Sequence, residues 1–199
     1  YGADPAKIHV VTNGVELTFL NEPPRERGKW LVCTATVTER KRVLEVAQAA
    51  VLAQTPIWIV GKPYAESDPY YVRFLELAKQ HPQWIRYEGA IMDRALLARI
   101  YREARGFVLL STKESLSLST GEAAACECPL LLSDLPWARV SYGEAASYGP
   151  IAPPKTTAAF LRDFYDAAPA LPIPPKPPTW PQVGAQLKAI YEAALSTSR

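Results

Sequence analysis

Several residue types that would indicate other functions are scarce in this chain. Of its 199 residues, two are histidine (His9 and His81) and three are cysteine. Two histidines leave few candidates for histidine-based catalysis. The cysteines, Cys33, Cys126 and Cys128, form no disulfide framework, which fits reduced thiols in a cytoplasmic protein. Cys126 and Cys128 without a nearby histidine or third cysteine do not predict a metal site.

Long apolar runs and a strong charge bias are also missing. No apolar stretch approaches the length of a membrane span, and no signal peptide is expected. Lys and Arg number 22 against 20 Asp and Glu, which argues against a nucleic-acid-binding protein with its basic stripe. No Asp-x-Asp pair occurs, so a metal–diphosphate site of that kind is not expected. At 199 residues, of which 48% are apolar, the chain suits one compact domain with a real core.

Apolar strands and amphipathic helices alternate along the chain. The predicted strands are 7–16, 29–37, 57–61, 85–89, 107–110, 129–134 and 148–152. The predicted helices begin near positions 40, 69, 93, 119, 136, 156 and 180. Asp68 or Ser67 should cap the second helix and Asp93 the third, which Gly106 should end. Because the connections are short, we predict an α/β fold with a doubly wound parallel sheet.

Ligands on such sheets bind at the carboxyl ends of the strands. The turns at Gly61–Lys62, at 89–91 and at Glu114 should all lie on that edge. The stretch 108–134 is predicted to form a buried strand, a polar turn, a helix beginning near Ser119 and a second buried strand. A helix N-terminus rich in hydroxyl groups suits phosphate or sugar hydroxyls.

Two carboxylates, Glu114 and Glu122, bracket this helix N-terminus. Carboxylates accept hydrogen bonds from vicinal diols, so the pair predicts a nucleotide-sugar site. A structural interpretation of Glu122 also fits, because Ser119 and Glu122 have the spacing of a capping box. The two roles are not exclusive. For Glu114 the alternative is an ordinary solvated loop charge.

Glu114 and Glu122, separated by seven residues between two apolar strands, resemble the E-x7-E signature of GT4-type glycosyltransferases of the GT-B fold (glycosyl transferases group 1). Asn13-Gly14-Val15 is similar to the family segment that follows the linker from an N-terminal acceptor domain. The resemblance implies one Rossmann-like half of a GT-B enzyme whose N-terminal domain is missing. We divide the chain into a connecting segment (1–28), the Rossmann-like domain (29–168), and a Pro-rich strap with a C-terminal helix (169–199).

The resemblance also implies roles for individual residues. Glu114 would contact the donor sugar at the catalytic centre, Glu122 the ribose, and Lys41 the diphosphate. Ile91 would contact the nucleobase through its backbone. The donor contacts are completed by Ser117, Leu118 and Thr36. For Lys41 the alternative is a solvated helix start.

Two of these positions depart from the family pattern. Thr36 stands where an arginine usually binds diphosphate, and the loss removes charge-assisted contacts worth ~1.5–3 kcal/mol each. Either Arg40 or Arg42 compensates, or diphosphate binding is weaker than usual. Ser117 replaces a common glycine, so the loop is expected to differ in shape.

We therefore predict the donor-binding half of a retaining, metal-independent glycosyltransferase without a cofactor. Its partners would be a UDP-, GDP- or ADP-sugar and the missing acceptor domain, with no nucleic acid and with membrane contact only through the missing half. Alone, this half should not turn over. The alternatives are a non-catalytic scaffold domain and half of a nucleotide-sugar epimerase, which would need catalytic acids and histidines that this half does not show.

Overall fold

The computed structural model describes residues 2, 4–23 and 25–197; positions 1, 3, 24, 198 and 199 of the predicted segments lie outside them. Within the described residues, six parallel strands form one sheet in the order β3-β2-β1-β4-β5-β6. The strands are β1 Leu31–Thr34, β2 Ile57–Val60, β3 Ile85–Tyr87, β4 Gly106–Leu109, β5 Leu130–Ser133 and β6 Ser147–Gly149. The helices are α1 Val43–Leu52, α2 Pro69–Gln80, α3 Arg94–Glu103, α4 Leu118–Ala125, α5 Pro136–Tyr142, α6 Pro154–Ala167 and α7 Trp180–Thr197.

The sheet confirms the predicted doubly wound, Rossmann-like fold. Strand order reverses between β1 and β4, which pair directly through Leu31 and Gly106. α1 packs against α2 and α6, while α3 packs against α4. β4 and β5 are buried along their whole length, as continuous apolar runs in a covered parallel sheet should be.

Local capping chemistry fixes two of the helix starts as predicted. The carboxylate of Asp68 accepts a hydrogen bond from the Tyr70 N–H at 2.9 Å, with Pro69 in the first turn of α2. The carboxylate of Asp93 accepts from the N–H groups of Ala95 and Leu96 at 2.9 and 3.0 Å. Each side chain satisfies donors that the first helical turn leaves unpaired.

The helix predicted from position 40 is interrupted at Arg42. A short 3₁₀ turn covers Glu39–Lys41, and Arg42 then takes a left-handed conformation with φ of 54° before α1 begins at Val43. The Arg42 guanidinium donates a hydrogen bond to the carbonyl of Ala152, so this residue holds the start of α1 to the segment before α6. The turn presents Lys41 on a bend and not on a regular helix.

Two predictions about the chain before β4 were wrong. Residues 7–16 form no strand except an isolated bridge between Val15 and Thr179, because they pair with no strand of the sheet. Gly106 does not end α3, whose C-cap is Ala104, but opens β4. A side chain at position 106 would lie 2.6 Å from the ring of Phe164, so close packing requires the glycine there.

The C-terminal part follows the prediction more closely. The last predicted strand, 148–152, is present but shorter, because only Ser147–Gly149 pairs with β5. Residues 171–178 contain neither helix nor strand, consistent with their many prolines. Along α7 most side chains are exposed, and Val183 is buried. Among the described residues, no helix is both long enough and apolar enough to cross a bilayer.

Candidate functional site

A cavity of about 320 Å³ lies at the carboxyl ends of β1 and β2. The turns after both strands line it, together with Ala90 and Ile91 of the turn after β3 and Glu122 of α4. This is the edge on which doubly wound sheets bind ligands. The predicted convergence of the Gly61 and 89–91 turns is therefore present in the structure.

The floor of the cavity depends on the absence of a side chain at Gly61. Its φ of 154° is one that L side chains rarely adopt, and a Cβ there would lie 1.9 Å from the carbonyl oxygen of Ala35. The Gly61 N–H donates to the carbonyl of Gly89 at 3.0 Å, and the Tyr87 hydroxyl donates to the Gly61 carbonyl at 3.0 Å. These contacts bring the turns after β1, β2 and β3 together around the cavity.

Glu122 places a carboxylate in the cavity wall, where its side chain is 11% exposed. Its Oε1 is paired with the Arg94 guanidinium at 2.5 Å, and the Tyr101 hydroxyl donates to its Oε2 at 3.4 Å. Burial raises the pKa of the Glu122 carboxyl, and the bonds from Arg94 and Tyr101 oppose that rise. A desolvated carboxylate with two donors already in place can exchange one of them for a ligand hydroxyl.

The capping box predicted for Glu122 was wrong. α4 begins at Leu118, and its N-cap is Ser117, whose hydroxyl oxygen accepts from the Thr120 N–H at 3.3 Å. Glu122 is then the fifth helical residue, two positions beyond the one from which a side chain reaches back to the cap. The structural role of Glu122 is the ion pair with Arg94.

Glu114 forms a second ionic cluster. Its Oε1 lies 2.6 Å from Lys41 Nζ and 3.1 Å from Arg40 Nη1. The Glu114 and Lys41 side chains are 8% and 13% exposed, so neither is a solvated charge. The turn carrying Lys41 is also joined to the Glu114 loop by the backbone, because the Thr112 N–H donates to the Arg40 carbonyl at 2.9 Å.

The start of α4 has the donors expected of an anion site. In the described part of the chain, the N–H groups of Leu118 and Ser119 have no hydrogen-bond partner within the protein. The hydroxyls of Ser117 and Ser119 lie 3.2 Å apart. Free N–H groups and the helix dipole favour a negatively charged ligand at such an end.

The predicted site residues thus fall into three neighbouring groups. The cavity is lined by Thr36, Ile91 and Glu122. Lys41 and Glu114 form the ionic cluster and do not line that cavity. The beginning of α4 carries Ser117 and Leu118.

Residues 28–166 match the family described as Glycosyl transferases group 1. This match covers more than half of the chain. The chain belongs to the glycosyl transferases group 1 family.

One curated protein is similar to this chain over part of its length. The D-inositol 3-phosphate glycosyltransferase of Gordonia bronchialis is 28% identical over 157 residues, which cover 68% of this chain and 34% of that protein. The chain therefore spans about a third of the length of this curated relative.

Two solved structures share the fold. The C-terminal domain of the group 1 protein LpcC from Francisella tularensis aligns with a TM-score of 0.63 at 18% identity, covering 77% of this chain and 88% of that domain. HepE of Anabaena, crystallised with UDP and glucose, aligns with a TM-score of 0.73 at 11% identity, covering 96% of this chain and 58% of that one.

Sequence reasoning missed the positive partners of the two signature carboxylates in this group 1 domain. Arg94 pairs with Glu122 and with Glu16 at 2.9 Å, and its guanidinium lies 4.7 Å from the centre of the Phe19 ring. Nothing at position 94 signals this role, because Glu122 is distant in the sequence. Arg40 lies next to Lys41, yet only the fold shows that both meet Glu114.

The cysteines provide no competing chemistry. All three are free and buried, and burial raises the pKa of the thiols of Cys33, Cys126 and Cys128 to about 12. They remain protonated and unreactive at neutral pH. Within residues 2, 4–23 and 25–197, no three His, Cys, Asp or Glu side chains are grouped so as to hold a metal ion.

Proposed function

We propose that this domain is the donor-binding half of a glycosyltransferase that transfers a sugar from a nucleotide-sugar to an acceptor. The observation that carries the proposal is the carboxylate of Glu122 in the wall of a cavity of about 320 Å³ at the carboxyl edge of the sheet. This volume lies within the ~300–1,000 Å³ typical of small-molecule sites. A carboxylate in that position can accept hydrogen bonds from both hydroxyls of a ribose.

In this proposal the nucleoside occupies the cavity. The base lies against the backbone of Ala90 and Ile91, and the ribose hydroxyls bind Glu122. Because both oxygens of Glu122 already have donors, Arg94 has to share or release the carboxylate when ribose binds. Thr36, which also lines the cavity, contributes one hydroxyl hydrogen bond.

The diphosphate and the sugar extend from the cavity toward the ionic cluster. Lys41 and the free N–H groups of Leu118 and Ser119, next to the N-cap Ser117, bind the diphosphate, and Glu114 contacts the sugar. Lys41 exchanges its carboxylate partner for a phosphoryl oxygen, which leaves Glu114 available to accept from sugar hydroxyls. The geometry that supports this exchange is the 2.6 Å pair between the two residues.

The reaction we propose is GT4-type hexosyl transfer with retention of anomeric configuration and without a metal ion. The bond between the anomeric carbon and the diphosphate oxygen breaks, and the oxygen of an acceptor hydroxyl bonds to the carbon on the same face. The proton of that hydroxyl passes to the departing diphosphate oxygen. Lys41 and the start of α4 stabilise the negative charge of the departing diphosphate. The acceptor is held by an N-terminal domain outside this chain, so this half alone should not turn over.

The compartment and partners follow from the same proposal. Buried, free cysteines are consistent with a reducing cytoplasm, where we place the enzyme. The partners are a UDP-, GDP- or ADP-sugar and the acceptor domain. Any contact with a membrane is made by that other domain, and no nucleic acid is involved.

Titration by calorimetry or NMR tests the donor site. UDP, GDP and ADP, and then their sugar conjugates, are added to the wild type and to Lys41→Ala, Glu122→Gln and Lys79→Ala. Lys79 is an exposed lysine at the end of α2, on the opposite edge of the sheet, and serves as the matched charge control. We expect saturable binding of one nucleoside diphosphate, abolished in the folded Lys41→Ala protein and unchanged by Lys79→Ala.

One observation favours the alternative of a non-catalytic scaffold domain. Both signature carboxylates already have positively charged partners, Arg94 for Glu122 and Lys41 for Glu114. If the protein with its acceptor domain binds no nucleotide up to millimolar concentration, the transferase proposal fails and the scaffold is favoured. The epimerase alternative gains no support, because neither His9 nor His81 lines the cavity.

A further inference from the structure

Compared with the family pattern that the sequence resembles, the diphosphate side of the proposed site lacks one positive charge. Thr36 stands where an arginine would donate a charge-assisted, bidentate pair of hydrogen bonds, and it brings a single hydroxyl. Two arginines lie close by in the turn between β1 and α1, namely Arg40 and Arg42. Their surroundings in the structure are different, and this difference identifies which of the two is available to a ligand.

Arg42 is committed to the fold. Its left-handed backbone conformation directs the chain into α1, and its Nη2 donates to the carbonyl of Ala152 before α6. Its Nε is buried without a partner in the described part of the chain. A guanidinium held in this way cannot reach an anion beside Lys41 without releasing the start of α1 from the α6 segment.

Arg40 is placed differently. Its side chain is 47% exposed, and its Nη1 donates to the Lys113 carbonyl at 2.8 Å and to Glu114 Oε1 at 3.1 Å. Both of these bonds use one nitrogen of a group with five N–H donors. Since the side chain is only half covered, the remaining N–H groups can form the forked contact that guanidinium makes with phosphate.

Arg40 and Lys41 converge on a single atom. Glu114 Oε1 accepts from Arg40 Nη1 at 3.1 Å and from Lys41 Nζ at 2.6 Å. The backbone of Arg40 is fixed as well, because its carbonyl accepts from the N–H of Thr112 at 2.9 Å and from its hydroxyl at 3.3 Å. Two positive charges are thus held side by side on a fixed turn, with one negative charge between them.

We propose that Arg40 is a diphosphate-binding residue that replaces the arginine missing at position 36. The inference rests on the proposed function and extends it to a residue outside the family's signature. Two adjacent cations suit two phosphoryl groups that share a bridging oxygen, with one cation for each group. Arrival of the diphosphate then draws both cations away from Glu114.

Arg40 should contribute to the binding affinity only of ligands that carry phosphate. We expect Arg40→Ala to weaken binding of the preferred nucleoside diphosphate about tenfold to a hundredfold, the range of a charged hydrogen bond. Binding of the corresponding nucleoside should not change. Arg40→Lys should retain part of the affinity, because it keeps the charge and loses the fork.

The experiment is calorimetry on the intact protein with UDP, GDP and ADP and with uridine, guanosine and adenosine. The variants are Arg40→Ala, Arg40→Lys, Arg42→Ala as the neighbouring arginine control, and the double variant Thr36→Arg with Arg40→Ala. Arg42→Ala should lower thermal stability and leave the diphosphate affinity of the folded protein unchanged. The double variant should regain diphosphate affinity, because a guanidinium returns to position 36.

The possible outcomes separate the two proposals. If the wild type binds a diphosphate and Arg40→Ala binds it equally well, the role of Arg40 is overturned and the proposed function stands. Equal losses of nucleoside and diphosphate affinity with a lowered melting temperature would show a structural role and also overturn it. If the wild type binds none of the six compounds, the proposed function itself fails, and the role of Arg40 fails with it.

Discussion

The ion pair between Glu114 and Lys41 predicts an unusual effect of removing a signature carboxylate. In Glu114→Gln, a bare nucleoside diphosphate should bind more tightly than in the wild type. The reason is that Lys41 no longer has to leave a carboxylate before it can bind phosphate. A nucleotide-sugar should gain less than the bare diphosphate, because the acceptor of the sugar hydroxyls is altered.

The size of the effect follows from the geometry. Lys41 and Glu114 are 2.6 Å apart with side chains 13% and 8% exposed, so their bond belongs with charged hydrogen bonds worth about 1.5–3 kcal/mol. The pair with Arg40, whose side chain is 47% exposed, adds only about 0–1 kcal/mol. Because 1.4 kcal/mol is a factor of ten, the two contributions together predict that diphosphate affinity rises at least about tenfold and at most about several hundredfold.

Calorimetric titration of the preferred nucleoside diphosphate and its sugar conjugate checks this prediction. Glu76→Gln, an exposed change of the same charge on α2, controls for the altered net charge. The ratio of the two affinities reports the sugar contact separately from the phosphate contact. Unchanged or weaker diphosphate binding in Glu114→Gln, beside normal binding in Glu76→Gln, would refute the idea that Glu114 competes for Lys41.

Further predictions concern the turns and the buried carboxylate. Gly61→Ala should lower the free energy of unfolding by more than about 3 kcal/mol, because its Cβ meets the Ala35 carbonyl. Gly89→Ala, with φ of 81° and open space around the added Cβ, should lower it by only about 1–2 kcal/mol. Urea unfolding measures both changes. Since the pKa of Glu122 is raised in the folded state, stability from this group is fully present below its unfolded pKa and is lost as pH rises through the folded value. The unfolding free energy of the wild type relative to Glu122→Gln should therefore decrease above about pH 4.5, and a flat difference would contradict the shift. Arg94→Ala should raise the pKa of Glu122 further, visible by carbon NMR titration.

Those parts of the fold that local chemistry determines could be predicted from the sequence. Asp68 and Asp93 cap helices because their side chains reach donors two or three residues away, so a short segment contains all the information. The predicted strand at 7–16 failed because a β-branched run becomes a strand only beside a partner. The prediction of Ser119 as the N-cap was wrong because Ser117 and Ser119 are the same residue type. The turn geometry that makes Ser117 the N-cap cannot be inferred from residue type alone.

The sequence predicts which residues belong to the candidate site, but it does not predict which of them contact one another. Glu114 and Glu122 were identified from their spacing and Lys41 from a resemblance. Their partners depend on topology: β1 pairs with β4 across the reversal of strand order, so the turn after β1 meets the turn after β4. That adjacency brings Arg40 and Lys41 to Glu114, 74 and 73 positions away in the sequence. A sequence read without strand order cannot show it.

The bridge between Val15 and Thr179 links the segment before β1 to the start of α7. The Val15 N–H donates to the Pro178 carbonyl at 2.9 Å, and the Trp180 N–H donates to the Val15 carbonyl at 3.3 Å. Gly14 completes the contact, because a Cβ there would lie 2.6 Å from the Trp180 nitrogen. The start of α7 is therefore joined to residues 14–16 by two backbone hydrogen bonds and a close packing contact. Local unfolding of either segment should therefore loosen the other, and hydrogen exchange at the Val15 and Trp180 amides would show this.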